Sequence, residues 1–133
     1  MRRTAREIVF KTLYSGLFNP DEDQLLNALG VEEKLSKNDM DFANKLFSTI
    51  TEHRTELEDI ISSLAKNYKL ERIFPTDKCA LLIGLCEIKY FDDVPNIVAI
   101  DEALYLCRVY STAQSLGFVN GIFAEFKKQI EGV

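Results

Sequence analysis

Apolar residues recur at three- and four-residue spacing along almost the whole chain, and no stretch alternates with a period of two. Asn120-Gly121, a dipeptide that favours hairpin turns, lies inside a helical pattern rather than between two strands. The fold class that follows is all-α. The most demanding segment is 77–91. Ala80, Leu81, Leu82, Ile83, Leu85, Cys86 and Ile88 make it apolar nearly all round. A helix with no polar face belongs at the centre of the molecule.

The remaining segments arrange themselves around it. Thr4 to Phe18 reads as a helix with Ala5, Ile8, Val9, Thr12, Leu13 and Leu17 inward. Thr4 and Glu7 are spaced as a capping box. Asn19-Pro20-Asp21 breaks the chain, a short helix over 21–29 stops at Gly30, and 31–37 is a polar link. Asn38 or Asp39 opens a helix to about Glu52, and a fourth runs to about Tyr68, split from the third near His53–Thr55 because one 31-residue helix is long for a small domain. Thr76 is the expected N-cap of the apolar helix. Pro95 or Asn96 starts the sixth, to about Tyr110. Ser111 and Gln114 are spaced as a capping box for a seventh, to about Ile130.

With 133 residues the chain is one domain's worth, able to bury a core without disulfides or metal. Its three cysteines, Cys79, Cys86 and Cys107, form no Cys-x-x-Cys pair and read as reduced core residues of a cytoplasmic protein. No secretory leader opens the chain and no run is long enough to span a membrane. Catalytic chemistry has little to work with. His53, the single histidine, reads as an exposed helix-end residue. The six glycines make neither a dinucleotide-binding fingerprint nor a phosphate loop, and the acidic pairs Asp92/Asp93 and Asp101/Glu102 have no catalytic neighbours.

The net charge of −5 argues against a nucleic-acid binder that is basic overall, but the charge is unevenly spread. Residues 1–20 carry +3, residues 21–60 carry −7, residues 61–100 balance, and 101–133 carry −1. Arg2, Arg3 and Arg6 cluster at the basic end near Phe10. Arg2 and Arg3 precede the expected cap and read as mobile. Guanidiniums beside aromatic rings suit phosphates and unpaired bases. Arginines at a helix start also oppose the helix dipole, a cost of a few tenths to about 1 kcal/mol each. The start of the last helix, Ser111–Ser115, offers backbone N–H groups to an anion.

Three motifs in order carry a resemblance. Arg3-x-x-Arg6-Glu7 followed by Leu13-Tyr14 resembles the N-terminal helix of the NusB family, the bacterial transcription antitermination factors. Val94-Pro95, then Val98-Ala99-Ile100-Asp101-Glu102-Ala103, and Phe118-Val119-Asn120-Gly121-Ile122 resemble two further segments of that family. The resemblance implies a single domain of about seven helices in two packed subdomains, approximately 1–70 and 75–133, with no catalysis and no cofactor. It implies binding to single-stranded boxA RNA of ribosomal RNA transcripts together with the small-subunit ribosomal protein NusE. The RNA polymerase elongation complex would be reached indirectly, and no membrane is involved.

By position, the resemblance places Arg2, Arg3, Arg6, Gln114, Phe118 and Asn120 on the RNA side, and Tyr14 and Asp77 on the ribosomal-protein side. An acidic 21–60 segment suits a basic ribosomal protein. Phe118 reads equally as a stacking platform or a core residue, and Asn120 as a base contact or a bridge between helices. The chain departs from the family where Leu82 replaces a usual arginine, where Asp101 replaces an asparagine, at Leu116-Gly117 before the Phe-Val-Asn-Gly motif, and at Gln114, where a relative can carry an acid. A protein-interaction module of the same fold with weak or lost RNA binding is the alternative these departures favour.

Overall fold

Nine consecutive buried positions of the fifth helix give the fold its axis. The computed structural model describes residues 1–20, 24–66 and 69–132. The chain forms α1 (Arg2–Gly16), α2 (Leu25–Glu32), α3 (Lys37–Glu52), α4 (Arg54–Leu64), α5 (Pro75–Tyr90), α6 (Asn96–Tyr110) and α7 (Ala113–Glu131). A 3₁₀ turn at Leu70–Arg72 precedes α5, and no strand occurs among the described residues. Every residue from Cys79 to Glu87 is buried. The reason is that α5 packs against α1, α3, α4, α6 and α7 at once. The all-α class and the central helix are as the sequence predicts.

Several boundaries differ from expectation for local physical reasons. Helix α1 begins at Arg2, not Thr4, and no side chain caps it. The Met1 carbonyl accepts the Ala5 N–H instead. Arg2 and Arg3 are therefore helical, not a mobile tail. Gly30 does not end α2. It sits inside the helix where a Cβ would collide with the Met40 thioether, so its role is close approach. Lys34 takes the left-handed turn at φ 54°, while the Leu35 N–H reaches back to the Gly30 carbonyl and that of Lys34 to Val31. This is the paired closure that normally uses glycine. The expected start of α2 at residue 21 lies outside the described residues.

Ser36 caps α3, accepting the Asp39 N–H at 3.1 Å. His53 is the junction residue between α3 and α4, as the split predicts, but it is half-buried and stacked on Tyr90 with ring centroids 4.2 Å apart. Helix α4 stops at Leu64, earlier than expected, and Tyr68 lies outside the described residues. Pro75 opens α5 at N1, with Phe74 as the N-cap residue. Thr76 makes no cap, because its hydroxyl bonds to Ser111. Helix α7 is capped by Thr112, whose Oγ1 accepts the Ser115 N–H at 3.1 Å, not by Ser111.

Candidate nucleic-acid interface

The arginine-rich start of α1 lies where the C-terminal half of α5 meets α6 and the loop Asp92–Pro95. Its three arginines meet three different fates. Arg6 is buried. Its Nε donates to Glu87 Oε2 at 2.8 Å and its Nη2 to Oε1 at 2.7 Å. Glu102 Oε1 lies 3.7 Å from its Nη1. Glu87 is fully enclosed, and burial pushes its carboxyl upward against the lowering effect of the Arg6 hydrogen bonds. A buried two-point pair of this kind is a structural clamp, and the Arg6 side chain expected on RNA phosphates is turned into the protein.

Arg2 and Arg3 stay at the surface, with side chains 44% and 45% exposed. Each is held on two sides. The Arg2 guanidinium lies 4.3 Å over the Phe42 ring and donates to Asp93 at 2.9 Å. The Arg3 guanidinium lies 4.0 Å over the Tyr105 ring and donates to Glu102 at 3.1 Å. Phe42 in turn meets Phe91 edge-on at 5.5 Å, and Lys45 covers Phe91 at 4.7 Å. The hydrogen bond from Arg2 holds the Asp93 carboxyl below the usual carboxylate range. Stacking leaves the outer guanidinium face and edge donors open to an anion. Arg2, Lys45, Asn38 and the acids Asp39 and Asp93 line a hollow of about 490 Å³.

The second group lies at the other end of α5. Gln114 and Phe118 line a hollow of about 190 Å³ with Arg72, Phe74, Asp77 and Ser115. Phe118 packs partly against the core and also walls a neighbouring hollow of about 270 Å³. It is thus partly a core residue and partly accessible from the hollows. Asn120 is exposed and lines neither hollow. The helix start at Ser111–Ser115 is less open to an anion than the sequence suggests. Ser115 is buried, and the hydroxyls of Thr76, Ser111, Thr112 and Ser115 bond among themselves and to Asp77 Oδ1, which accepts from Ser111 at 2.7 Å. The two groups are thus separate. Asp77 and Glu87 mark the two ends, and ten residues of helix place them about 15 Å apart.

Of the residues expected on a protein partner, Tyr14 is 38% exposed and Asp77 only 3%. Tyr14 adjoins the exposed Phe18 ring, centroids 5.3 Å apart. It lines a hollow with Phe10, Lys11, Thr76 and Tyr110, whose rings Phe10 and Tyr110 stack at 4.8 Å. Asp77 instead braces the junction of α6 and α7.

Sequence reasoning missed Phe42, Tyr105, Asp93 and Glu102 as partners of the arginines. They lie 40 to 102 residues away along the chain, and no local pattern ties them to α1. Glu87 carried a usable signal: a lone acid inside an otherwise apolar helix requires a buried cation. Burial holds the thiols of Cys79, Cys86 and Cys107 up at about 12, so they are core residues. No group of acids, cysteines and histidine suited to a metal ion occurs among the described residues, and none of their helices is long and apolar enough to cross a membrane.

The family model of the NusB family matches residues 3–128. The transcription antitermination protein NusB of Methylacidiphilum infernorum (isolate V4) is 36% identical over 123 residues, covering 91% of this chain and 86% of that protein. The structure of NusB from T. maritima superposes with a TM-score of 0.89 at 32% identity, covering 96% of this chain and 91% of that one. Antitermination factors NusB and NusE in complex with double-stranded RNA provide a further match, with TM-score 0.86, 22% identity and 96% of each chain covered. That last likeness speaks for the fold alone.

Proposed function

The chain belongs to the NusB family, and from that premise we propose that it is a transcription antitermination factor. It binds boxA-type single-stranded RNA of ribosomal RNA transcripts together with the ribosomal protein NusE, and meets RNA polymerase only through that assembly. It acts in the cytoplasm as an adaptor rather than as an enzyme. The observation that carries the RNA reading is the pair of stacked, half-exposed guanidiniums of Arg2 and Arg3. Rigid cations on aromatic supports bind phosphate with little ordering cost. Gln114, Phe118 and Asn120 on α7 contribute a second contact group.

Arg6 supports the site from inside by fixing α1 to α5, so its contribution is positional. Tyr14, with Phe18 beside it, is the residue that touches the protein partner. Asp77 holds the hydroxyl network behind that face. The two subdomains read from the sequence, about 1–70 and 75–133, are the halves on which these two contact groups sit.

One observation favours the alternative of weak RNA binding: Arg2 and Arg3 are already ion-paired within the protein. A titration of labelled boxA-like single-stranded RNA separates the readings. It is run with and without NusE, at two salt concentrations, with wild type and with the R2A/R3A variant. The adaptor reading expects tighter, salt-sensitive binding with NusE and a loss in the variant. Binding unchanged in the variant removes the arginines from the site. No RNA binding even with NusE leaves the protein-interaction module.

A further inference from the structure

The hollow between the 3₁₀ turn and α7 has features that a core defect does not. Exposed Arg72 in the 3₁₀ turn lines it, and exposed Lys66, two residues past α4, lines the adjoining hollow that shares Phe118. Neither has a carboxylate partner among the described residues, whereas Arg2, Arg3, Arg6 and Arg54 all have one. Beside Arg72 stands Phe74, 55% exposed. It is the N-cap residue of α5, and Pro75 fixes the chain just beyond it. Across the hollow, Gln114 brings an exposed amide that makes no side-chain hydrogen bond among the described residues. The acid in the lining, Asp77, is 3% exposed and committed to Ser111.

The floor of the adjoining hollow is smooth. Gly117 and Gly121 lie one turn apart on α7, and a Cβ at either would meet nothing within 4 Å. A chain running along α7 can therefore approach the helix backbone closely there. An exposed phenyl ring, with a guanidinium and an amide that have no side-chain partner among the described residues, match a base face, a phosphate and a base edge around one hollow.

We propose that this hollow is a nucleotide subsite for single-stranded RNA, in which Arg72 holds a phosphate, Phe74 stacks on a base and Gln114 contacts the base edge. The proposal rests on the RNA-binding reading above and extends it to residues outside the N-terminal arginines and the Phe-Val-Asn-Gly motif. Because Arg72 and Phe74 are exposed, their replacement leaves the core intact.

The test measures binding of a fluorescein-labelled boxA-like single-stranded RNA, with NusE present, to wild type, R72A, F74A and R2A/R3A. Thermal melts of each variant run in parallel. The proposal expects F74A to weaken binding roughly fivefold or more. It expects R72A to weaken binding and to lower the salt slope by about 0.7, one phosphate contact on a single strand. Unchanged melting temperatures accompany both. If R72A and F74A bind RNA as wild type does while R2A/R3A does not, the subsite is overturned and the RNA-binding reading stands. If both variants keep RNA affinity but lose capture of NusE, the hollow is a protein contact and the subsite is likewise overturned. If wild type binds no RNA, the broader reading fails and the subsite with it.

Discussion

Arg6 and Glu87 stand 81 residues apart in the chain and meet in the interior as a two-point pair at 2.8 and 2.7 Å. The pair fastens the first helix to the central one at the level where Arg2 and Arg3 reach the surface. Removing one partner leaves the other charge buried and alone, which costs about 3–5 kcal/mol. R6A and E87A should therefore each lower stability by that amount in urea unfolding followed by circular dichroism. R6K should not rescue, because an ammonium cannot make both bonds in that geometry. The double replacement R6M/E87L should recover most of the loss. Near-native stability in R6A alone would show that the pair contributes little.

Asp93 competes with any phosphate for Arg2. The pair is exposed, so its strength is modest. D93N should raise RNA affinity by up to about fivefold, with the gain largest at low salt. Equal or weaker binding in a fluorescence titration of D93N would mean that Arg2 does not contact the RNA.

Gly84 faces the Phe123 ring across the α5–α7 contact. A Cβ there would lie 2.8 Å from Phe123 Cε1, closer still to Cζ, and 3.0 Å from the Ala103 Cβ. Phe123 is fully buried and has no room to retreat. G84A should cost about 1–3 kcal/mol through overpacking. F123L, which shortens the opposing side chain, should make G84A less costly than it is in the wild-type background. Additive effects of the two replacements in thermal melts would contradict this.

Acid should unfold the protein through a specific set of carboxylates. Asp39 is lowered by its hydrogen bond from the N-terminal ammonium, and Asp93 by that from Arg2. Glu56 is lowered by hydrogen bonds from Tyr90 and Lys89. Burial raises Glu58, but the hydrogen bonds and charges of Lys78 and Arg54 together outweigh it and the net shift is downward. For these groups the unfolded chain binds protons first as pH falls. Their stabilisation is complete above about pH 5 and disappears as pH drops through the lowered folded values. Glu87 works in the opposite sense. Its carboxyl is raised, so its contribution is present at low pH and is lost as pH rises through the folded value. Melting temperature should fall steadily below about pH 5, and E58Q should flatten that slope. A melting temperature constant down to pH 3 would refute the assignment.

Helix identity and the inward faces were legible because each is written in local spacing. The residues from Ala80 to Cys86 declare their burial in the sequence, and Asn96–Tyr110 begins and ends where the breakers fall. Caps were less legible. Thr4, Thr76 and Ser111 all have capping chemistry, yet the side chains of Thr76 and Ser111 are used elsewhere, by the network around Asp77. A hydroxyl's partner is chosen by tertiary approach, which spacing does not encode. The arginines show the same division at the candidate site. Their clustering is visible in residues 1–6, but whether each points inward or outward depends on Glu87, Asp93 and Glu102, contributed by distant segments.

The enclosure of α5 has a consequence for how such a protein can change over time. The helix is a ruler between the stacked guanidiniums at one end and the Arg72–Phe118 hollow at the other. Since it is gripped on every side, its length cannot drift by single residues without rotating all of its buried contacts by about 100°. Side chains at the two ends are free to be retuned one by one. The interval between them is quantised, and only a concerted rebuilding of the surrounding helices would reset it.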